Sequence, residues 1–283
     1  MTRPNWSITG ATAVYGLLGR PVHHSLSPQI HNLWFELYGI DAVYVALEID
    51  QLNLSALPLA GVNLTVPFKA DAVAQIDVAS ALVTQLGAAN TVVRRDGQLS
   101  GDNTDVTGFI SAFEDTFGAD LSGRRVMVLG AGGAARAVAA GAAIRGAASV
   151  CFANRTPGRS QSAVDLLAPH HPATNFTTTR LAPSEFSARA SATDLVVNCT
   201  TGPAAMTIRG FSIADLPSEA IWVDINYWME DPPQIEACKQ RGLQVQDGGS
   251  MLLYQAAQAF QLFTGESPDV KAARVLLRSQ RRT

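Results

Sequence analysis

The sequence predicts an α/β protein with more than one domain, and three observations support this fold class. Short apolar runs alternate with helix-like stretches, a glycine-rich turn connects one apolar run to a helix, and the 283 residues exceed the length of an average domain. Apolar strands that alternate with helices indicate parallel sheets, because parallel neighbours need crossover connections. The 21 basic and 24 acidic side chains nearly balance, so the charge gives no indication of a nucleic-acid partner.

The first third of the chain contains a helix whose two ends are marked in the sequence. Ser27 and Pro28 predict its start, with the serine as N-cap and the proline at the first helical position. An amphipathic stretch follows as far as Tyr38, and Gly39 supplies the C-terminal stop. Strands are expected around this helix at 14–19, 42–49, 62–66 and 91–94, the last of them leading into the hairpin signal Asp96-Gly97.

After residue 105, helices and apolar strands alternate regularly, as βαβ units do. The boundary between two domains is expected near residues 106–118. We therefore expect a first domain at 1–110, a second at 111–246, and C-terminal helices at 247–283. Within the second part, strands are expected at 125–129, 149–153, 194–198 and 221–224, and helices at 109–117 and 251–263.

The glycine-rich turn that follows the strand 125–129 indicates dinucleotide binding. Gly130 allows the tight turn, Gly132 lets the backbone approach a pyrophosphate, and Ala135 takes the third position of the pattern. The helix that begins here offers free N–H groups and a favourable dipole to phosphates. Close packing alone is the alternative explanation of such a turn. The expected cofactor contacts in the turn are Gly130, Ala131, Gly132, Gly133 and Ala134.

The end of the next strand favours NADP over NAD. NAD-binding folds place a carboxylate there, which accepts from the ribose 2′-hydroxyl. Here the strand ends in Asn154-Arg155-Thr156, without a carboxylate. Arg155 can pair with a 2′-phosphate, and Arg159 lies near enough in sequence to help. The alternative is an exposed arginine with no cofactor role.

Three polar motifs before residue 106 are candidates for a substrate site. Ser25 and Ser27 place two hydroxyls at a helix N-terminus, which suits a carboxylate. Lys69 follows a strand and a proline, although physical reasoning alone favours an ordinary surface lysine. Asp102 and Asp105 lie in a glycine-bounded segment where turn capping is commoner than metal binding, and the oxygen ligands of a calcium loop are missing. We therefore predict no metal.

The chain gives no sequence indication of export or of a membrane. Its three cysteines, Cys151, Cys199 and Cys238, are separated and odd in number, which fits a reducing compartment. The first residues lack an apolar signal segment, and the alanine-rich run 134–148 is too short and too charged to span a bilayer. We expect a cytoplasmic protein.

Taken in order, these motifs and several others resemble the shikimate dehydrogenase family. The resemblance spans roughly residues 14–270, and its set of motifs is specific although each motif alone is weak. The matching segments begin with His24–Pro28, Asn63–Lys69, Ala89–Thr91 and Gly101–Asp105, and continue with Gly130–Arg136, Asn154–Thr156, Asn198–Gly202, Asp224–Tyr227 and Asp247–Ala257.

The resemblance implies a fold, an activity and a role for particular residues. The implied fold is an N-terminal α/β substrate-binding domain and a Rossmann NADP-binding domain, with C-terminal helices that return to the first domain. The implied reaction is the reduction of 3-dehydroshikimate to shikimate with NADPH, by a monomer or a homodimer. Lys69 and Asp105 would act at the reacting carbon. Ser25, Ser27 and Tyr227 would bind the substrate carboxylate, Thr65, Asn90 and Gln255 would bind ring hydroxyls, and Thr200 and Gly248 would join the cofactor contacts.

Two alternatives stay open. Relatives of this family act on quinate or on an amino-substituted shikimate, and this chain departs from the family pattern at Val106 and Asn226. A non-catalytic NADP-binding regulator on the same scaffold is the other alternative. It would be expected to lack Lys69 or Asp105, and both are present.

Overall fold

The computed structural model describes residues 8–200, 204–227 and 232–280, except for the side chains of 204–206 and 280. The chain divides into two compact units. The first comprises Met1–Thr104 together with Leu252–Thr283, and the second comprises Asp105–Met251. No helix in the described ranges has both the length and the apolar character needed to cross a membrane.

The first unit contains a mixed sheet of six strands in the order β2-β1-β3-β5-β6-β4. β1 pairs in parallel with both β2 and β3, and the β3-β5-β6 part of the sheet is antiparallel. Its strands are β1 (Ala13–Gly19), β2 (Ala42–Glu48), β3 (Gly61–Leu64), β4 (Val78–Ala79), β5 (Thr91–Arg95) and β6 (Gln98–Asp102), and its first two helices are α1 (Ser27–Tyr38) and α2 (Ala81–Leu86).

The start of α1 differs by one residue from the prediction. Leu26 occupies the N-cap position, and no side chain caps the helix there. Ser27 is therefore the first helical residue, and Pro28 follows it within the first turn, where its missing N–H costs no helical hydrogen bond. The predicted stop is confirmed, because Gly39 ends the helix with a φ of +63°.

The second unit is built on a fully parallel sheet of six strands in the order β12-β11-β10-β7-β8-β9. In chain order within the unit this is the 3-2-1-4-5-6 arrangement of a Rossmann fold. Its elements are α3 (Thr104–Phe117), β7 (Arg125–Leu129), α4 (Gly133–Ile144), β8 (Ser149–Asn154), α5 (Pro157–Leu167), β9 (Asn175–Arg180), α6 (Pro183–Ala190), β10 (Leu195–Asn198), α7 (Ala204–Arg209), β11 (Ile221–Asp224), α8 (Ile235–Gln240) and β12 (Gln244–Gln246).

The last two helices, α9 (Gly249–Thr264) and α10 (Val270–Gln280), lead the chain back to the first unit. In α9, Phe263 packs on Tyr15 of β1 with ring centroids 4.9 Å apart, and Phe260 packs on Trp34 of α1 at 5.4 Å. Gly61 of β3 is needed at this contact, because a Cβ there would lie 2.8 Å from the Phe263 ring. The two-domain α/β fold with a Rossmann unit and returning helices is thus confirmed.

Several element predictions need correction. Asp105 lies in the first turn of α3, because this helix begins at Thr104 and not near residue 109. β3 ends at Leu64, two residues earlier than expected, so Thr65 already lies in the following loop. The edge strands β4, β9 and β12 were not expected, since none of them has the continuous apolar pattern of a central strand.

Candidate active site

In the first unit, the candidate substrate residues lie beyond the carboxyl ends of β1 and β3. The two strands are parallel neighbours, so both chains emerge at the same edge of the sheet. The backbone N–H of Thr65 donates to the Leu18 carbonyl at 2.9 Å, and that of Arg20 donates to the Val66 carbonyl at 2.8 Å. Gly19 permits this approach, because a side chain there would collide with Thr65. The loop with the two serines therefore begins beside the loop with Lys69.

The local role expected of Ser27, as the N-cap of α1, is not observed, because Leu26 occupies that position. The Ser25 hydroxyl accepts from the backbone N–H of Ser27 at 3.2 Å and so supports the entry into α1. Ser27 is 5% exposed, whereas Ser25 is half-buried. Both hydroxyls thus lie at the first turn of a twelve-residue helix that has no acidic residue in that turn. This end of the helix suits an anionic group.

Lys69 and Asn90 are held together through their backbones. The N–H of Ala89 donates to the Lys69 carbonyl at 2.8 Å, and the N–H of Leu64 donates to the Asn90 carbonyl at 2.7 Å. Lys69 is half-buried and Asn90 is 2% exposed. The structure therefore brings Thr65, Lys69 and Asn90 to the same edge of the first sheet.

The Asn90 side chain is fixed by a buried network of hydrogen bonds. Its Oδ1 accepts from the Thr104 N–H at 2.7 Å and from the Thr91 hydroxyl at 2.9 Å, while its Nδ2 donates to the Thr104 hydroxyl at 3.0 Å. Asn63 donates to Thr91 at 2.9 Å and accepts from the Tyr44 hydroxyl at 2.8 Å. A network of buried polar groups that satisfy one another holds its members rigidly, so Asn90 is positioned in advance.

Three further predicted residues are divided between the two units. Asp105 is the first residue of the second unit and is 5% exposed, directly after Thr104 of the buried network. Tyr227 is half-buried in the second unit. Gln255 is half-buried on α9 in the first unit, and its Nε2 donates to the Leu252 carbonyl at 3.0 Å. The pairing of Lys69 with Asp105 stays a prediction.

In the second unit, the glycine-rich turn has the geometry of a phosphate site. Gly130 has a φ of +112°, and a Cβ there would lie 3.3 Å from the Cys199 carbonyl. Gly132 is exposed at the N-cap of α4, where a Cβ would meet no protein atom within 4 Å. Close packing within the protein therefore explains why residue 130 is glycine, but it does not explain Gly132. The open space at Gly132 leaves room for a pyrophosphate beside the helix N-terminus. Ala131, Gly133 and Ala134 are half-buried around it.

The end of β8 presents cations to solvent. Arg155, Thr156 and Arg159 are exposed, and the Asn154 Nδ2 donates to the Thr156 carbonyl at 3.1 Å. Within the described part of the chain, neither arginine has an acidic partner. Their guanidinium groups suit a phosphate on the ribose, so the residues present fit NADP(H).

A polar network at the ends of β10 and β11 was not recognised from the sequence as a unit. Asn198 donates to the Asp224 carboxylate at 2.6 Å and accepts from the Thr200 hydroxyl at 2.7 Å. The Asn226 amide donates to the Thr200 carbonyl at 3.0 Å and to Asp224 at 2.6 Å. Burial raises the pKa of the Asp224 carboxyl, and the bonds from Asn198 and Asn226 oppose that rise. The sequence does contain a signal for this network, because each of the two apolar strands ends in a polar residue, Asn198 in β10 and Asp224 in β11.

This network fixes the backbone of Thr200, a predicted cofactor residue, beside the glycine-rich turn. Gly248, the other such residue, follows β12, and a side chain there would collide with the Ile225 carbonyl. The motif that begins at Asn198 continues through residues 201–202, which lie outside the described residues. No group of three or more potential metal ligands is found among the described residues.

Three family models match successive parts of the chain. The model described as the shikimate dehydrogenase substrate binding domain matches residues 17–92. The model described as shikimate / quinate 5-dehydrogenase matches 112–244, and the model described as the shikimate 5′-dehydrogenase C-terminal domain matches 250–278.

Known proteins resemble the chain over nearly its whole length. A relative from Magnetococcus marinus named shikimate dehydrogenase (NADP(+)) is 36% identical, over 96% of this chain and 98% of that protein. The crystal structure of Thermus thermophilus shikimate 5-dehydrogenase with NADP(H) and shikimate is 32% identical, with a TM-score of 0.80 over 94% of this chain and 99% of that one. Quinate dehydrogenase from Corynebacterium glutamicum in complex with NAD is 27% identical, with a TM-score of 0.83 over 95% and 99% of the two chains. Both units and the returning helices are thus accounted for, and the chain belongs to the shikimate dehydrogenase family.

Proposed function

We propose that this chain is an NADP-dependent shikimate dehydrogenase, an oxidoreductase that reduces 3-dehydroshikimate to shikimate. The observation that supports it best is the convergence of Thr65, Lys69 and Asn90 at one sheet edge, with Asn90 locked by buried hydrogen bonds. The separated free cysteines fit a reducing compartment. We further propose that the enzyme works in the cytoplasm as a monomer or a homodimer.

The chemistry requires a proton donor at the reacting oxygen. NADPH, when bound, supplies a hydride to the carbonyl carbon of the substrate. The carbonyl oxygen then develops negative charge, which needs a positioned cation or acid. The Lys69 ammonium donates its proton to that oxygen and later regains one from water. The Asp105 carboxylate orients the ammonium and accepts a hydrogen bond from the new hydroxyl.

The remaining polar residues hold the ring. Ser25 and Ser27 donate their hydroxyls to the substrate carboxylate at the first turn of α1, and Tyr227 adds a third hydroxyl. Thr65, Asn90 and Gln255 bond the ring hydroxyls. A polyhydroxy ring needs several fixed donors and acceptors, since each unmatched buried polar group weakens binding.

In this proposal the cofactor would bind at the carboxyl edge of the second sheet. Gly130, Ala131, Gly132, Gly133 and Ala134 would hold the pyrophosphate at the N-terminus of α4. Asn154, Arg155, Thr156 and Arg159 would hold the adenosine with its 2′-phosphate, and Thr200 and Gly248 would contact the nicotinamide half.

Quinate is the second candidate substrate, because a quinate dehydrogenase is among the structures with the same fold over 95% of this chain. Steady-state rates with shikimate and quinate, each with NADP⁺ and NAD⁺, separate the two candidates. We expect shikimate with NADP⁺ to give the highest kcat/KM. A higher kcat/KM with quinate would show that quinate, and not shikimate, is the preferred substrate. A preference for NAD⁺ would contradict the role given to Arg155.

A further inference from the structure

A third arginine lies at the same sheet edge as Arg155 and Arg159, the two arginines proposed to bind the cofactor. Arg180 is the last residue of β9, and it pairs in register with Asn154, the last residue of β8. The Leu181 N–H donates to the Asn154 carbonyl at 3.1 Å, which continues the ladder past the strand end. Neighbouring strands lie about 4.8 Å apart. The backbone of Arg180 therefore lies beside the residue that directly precedes Arg155.

The side chain of Arg180 lies on the α5 face of the sheet. The preceding residue, Thr179, donates its hydroxyl to Glu185 of α6 at 2.7 Å, so Thr179 lies on the α6 face. Successive strand residues alternate between faces, which places Arg180 on the opposite one. There α5 packs against β8 and β9 as their crossover helix. Arg159 lies in the first turn of α5, on the same face and at the same edge as Arg180.

The three arginines form a patch of positive charge that the protein does not neutralise. Arg155, Arg159 and Arg180 are all exposed, and in the ranges that the structure describes none of them has an acidic partner. The nearby acids are otherwise engaged: Glu185 accepts from Thr179 on the other face, and Asp165 of α5 accepts from Gln161 at 2.8 Å. Three neighbouring guanidinium groups repel one another, so a multiply charged anion stabilises the arrangement.

We propose that Arg180 is a third binding residue for the 2′-phosphate of NADP(H) and a determinant of cofactor specificity. The inference rests on the proposed function, in which Arg155 and Arg159 hold this phosphate. A phosphate monoester offers three acceptor oxygens and up to two negative charges at neutral pH. Three guanidinium groups, one from the turn after β8, one from α5 and one from β9, can each bond a different oxygen. NADH has no phosphate at this position, so Arg180 acts only on NADP(H).

The test measures binding of two nucleotide probes, 2′,5′-ADP and 5′-AMP, to the full-length protein by calorimetry. Arg180→Gln removes the charge at an exposed position and should weaken 2′,5′-ADP binding by about tenfold, the size of one charge-assisted hydrogen bond. Binding of 5′-AMP should stay the same. Arg155→Gln is the positive control for the proposed site. Arg189→Gln is the matched control, since Arg189 is exposed on α6 of the same unit.

The kinetic readout follows the same logic. Arg180→Gln should raise the KM for NADP⁺ by about tenfold and leave the KM for NAD⁺ and the kcat unchanged. If Arg155→Gln weakens 2′,5′-ADP binding while Arg180→Gln behaves like Arg189→Gln, the inference is wrong and the proposed cofactor site stands. If the unsubstituted protein binds 2′,5′-ADP no better than 5′-AMP, the proposed NADP site fails and the inference fails with it.

Discussion

His31 is buried completely among aromatic rings. Its ring stacks on Tyr44 with centroids 4.3 Å apart and an interplanar angle of 4°, and Trp34 meets it edge-on at 5.7 Å. Neither ring nitrogen has a partner among the described residues. Burial lowers the pKa of His31 to about 3. The side chain is therefore neutral at physiological pH and behaves as part of the core.

This histidine makes the free energy of unfolding depend on pH in the acidic range. The pKa of His31 is about 3 in the folded state, whereas in the unfolded state it has the ordinary value of 6.5. Stability from this residue is thus complete above pH 6.5 and is lost as the pH falls towards 3. At ~1.4 kcal/mol per pH unit, the loss between pH 6.5 and pH 5 is about 2 kcal/mol.

The variant His31→Phe should remove this part of the pH dependence. Urea titrations at pH 7 and pH 5 measure it, and the difference between the two pH values should shrink by about 2 kcal/mol relative to the unsubstituted protein. His23→Gln serves as the control, because His23 is exposed. An unchanged pH dependence in His31→Phe would show that the buried ring is protonated or hydrated in the folded state.

Lys69 gives the most direct test of the catalytic assignment. Lys69→Ala should lower kcat by roughly 10²–10⁴-fold, the usual effect of losing a general acid, while NADP⁺ binding stays the same. Lys271→Ala is the control, because Lys271 is exposed on α10. Near-normal turnover of Lys69→Ala, in a protein that still binds NADP⁺, would remove Lys69 from the mechanism.

The sequence predicted residues best where a position needs a particular backbone geometry. The stop at Gly39 and the hairpin at Asp96-Gly97 followed from positive φ values that glycine and aspartate tolerate. Residues whose role depends on a neighbouring strand were missed. Arg180 pairs with Asn154 only because β8 and β9 are adjacent and in register, and no local pattern specifies that register.

At the scale of elements, the site residues follow the ends of strands. Polar site residues follow β1 and β3 in the first sheet and β8, β10 and β11 in the second. These are the carboxyl ends of parallel strands, where α/β proteins bind their ligands. The apolar central strands were predicted from composition, whereas the polar edge strand β9 lacked that signal. The start of α3 was missed because Thr104 and Asp105 match a turn motif as well as a helix start.

The loop between β12 and α9 offers an element-scale prediction at Gly248. A side chain there would collide with the Ile225 carbonyl, so Gly248→Ala must displace backbone next to the Asp224 network. We expect a loss of about 1–3 kcal/mol in stability, the usual cost of overpacking. Thermal unfolding measures it. Gly158→Ala in α5 is the matched control, because its Cβ would meet nothing within 4 Å. Equal melting temperatures for both variants would contradict the prediction.

At the scale of the whole molecule, two kinds of sheet occur in one chain. Regular alternation of strands and helices specified the parallel sheet of the second unit well enough to predict its fold from the sequence. The mixed sheet of the first unit was harder, since its antiparallel part depends on contacts such as that between Asn63 and Thr91, which are far apart in sequence. The roles of Lys69 and Asp105 came from the family resemblance rather than from physical pattern.

The return of α9 to the first unit has a consequence for how the protein is made. Phe260 and Phe263 supply rings to the aromatic core around His31, yet they are synthesised more than 200 residues after it. During translation, the nucleotide-binding segment 105–251 leaves the ribosome complete before the core of the segment synthesised first can close. Nascent chains therefore expose the Tyr15, His31 and Trp34 side chains until α9 has been synthesised, and we expect a chain truncated before α9 to lose the fold of the first unit rather than that of the second.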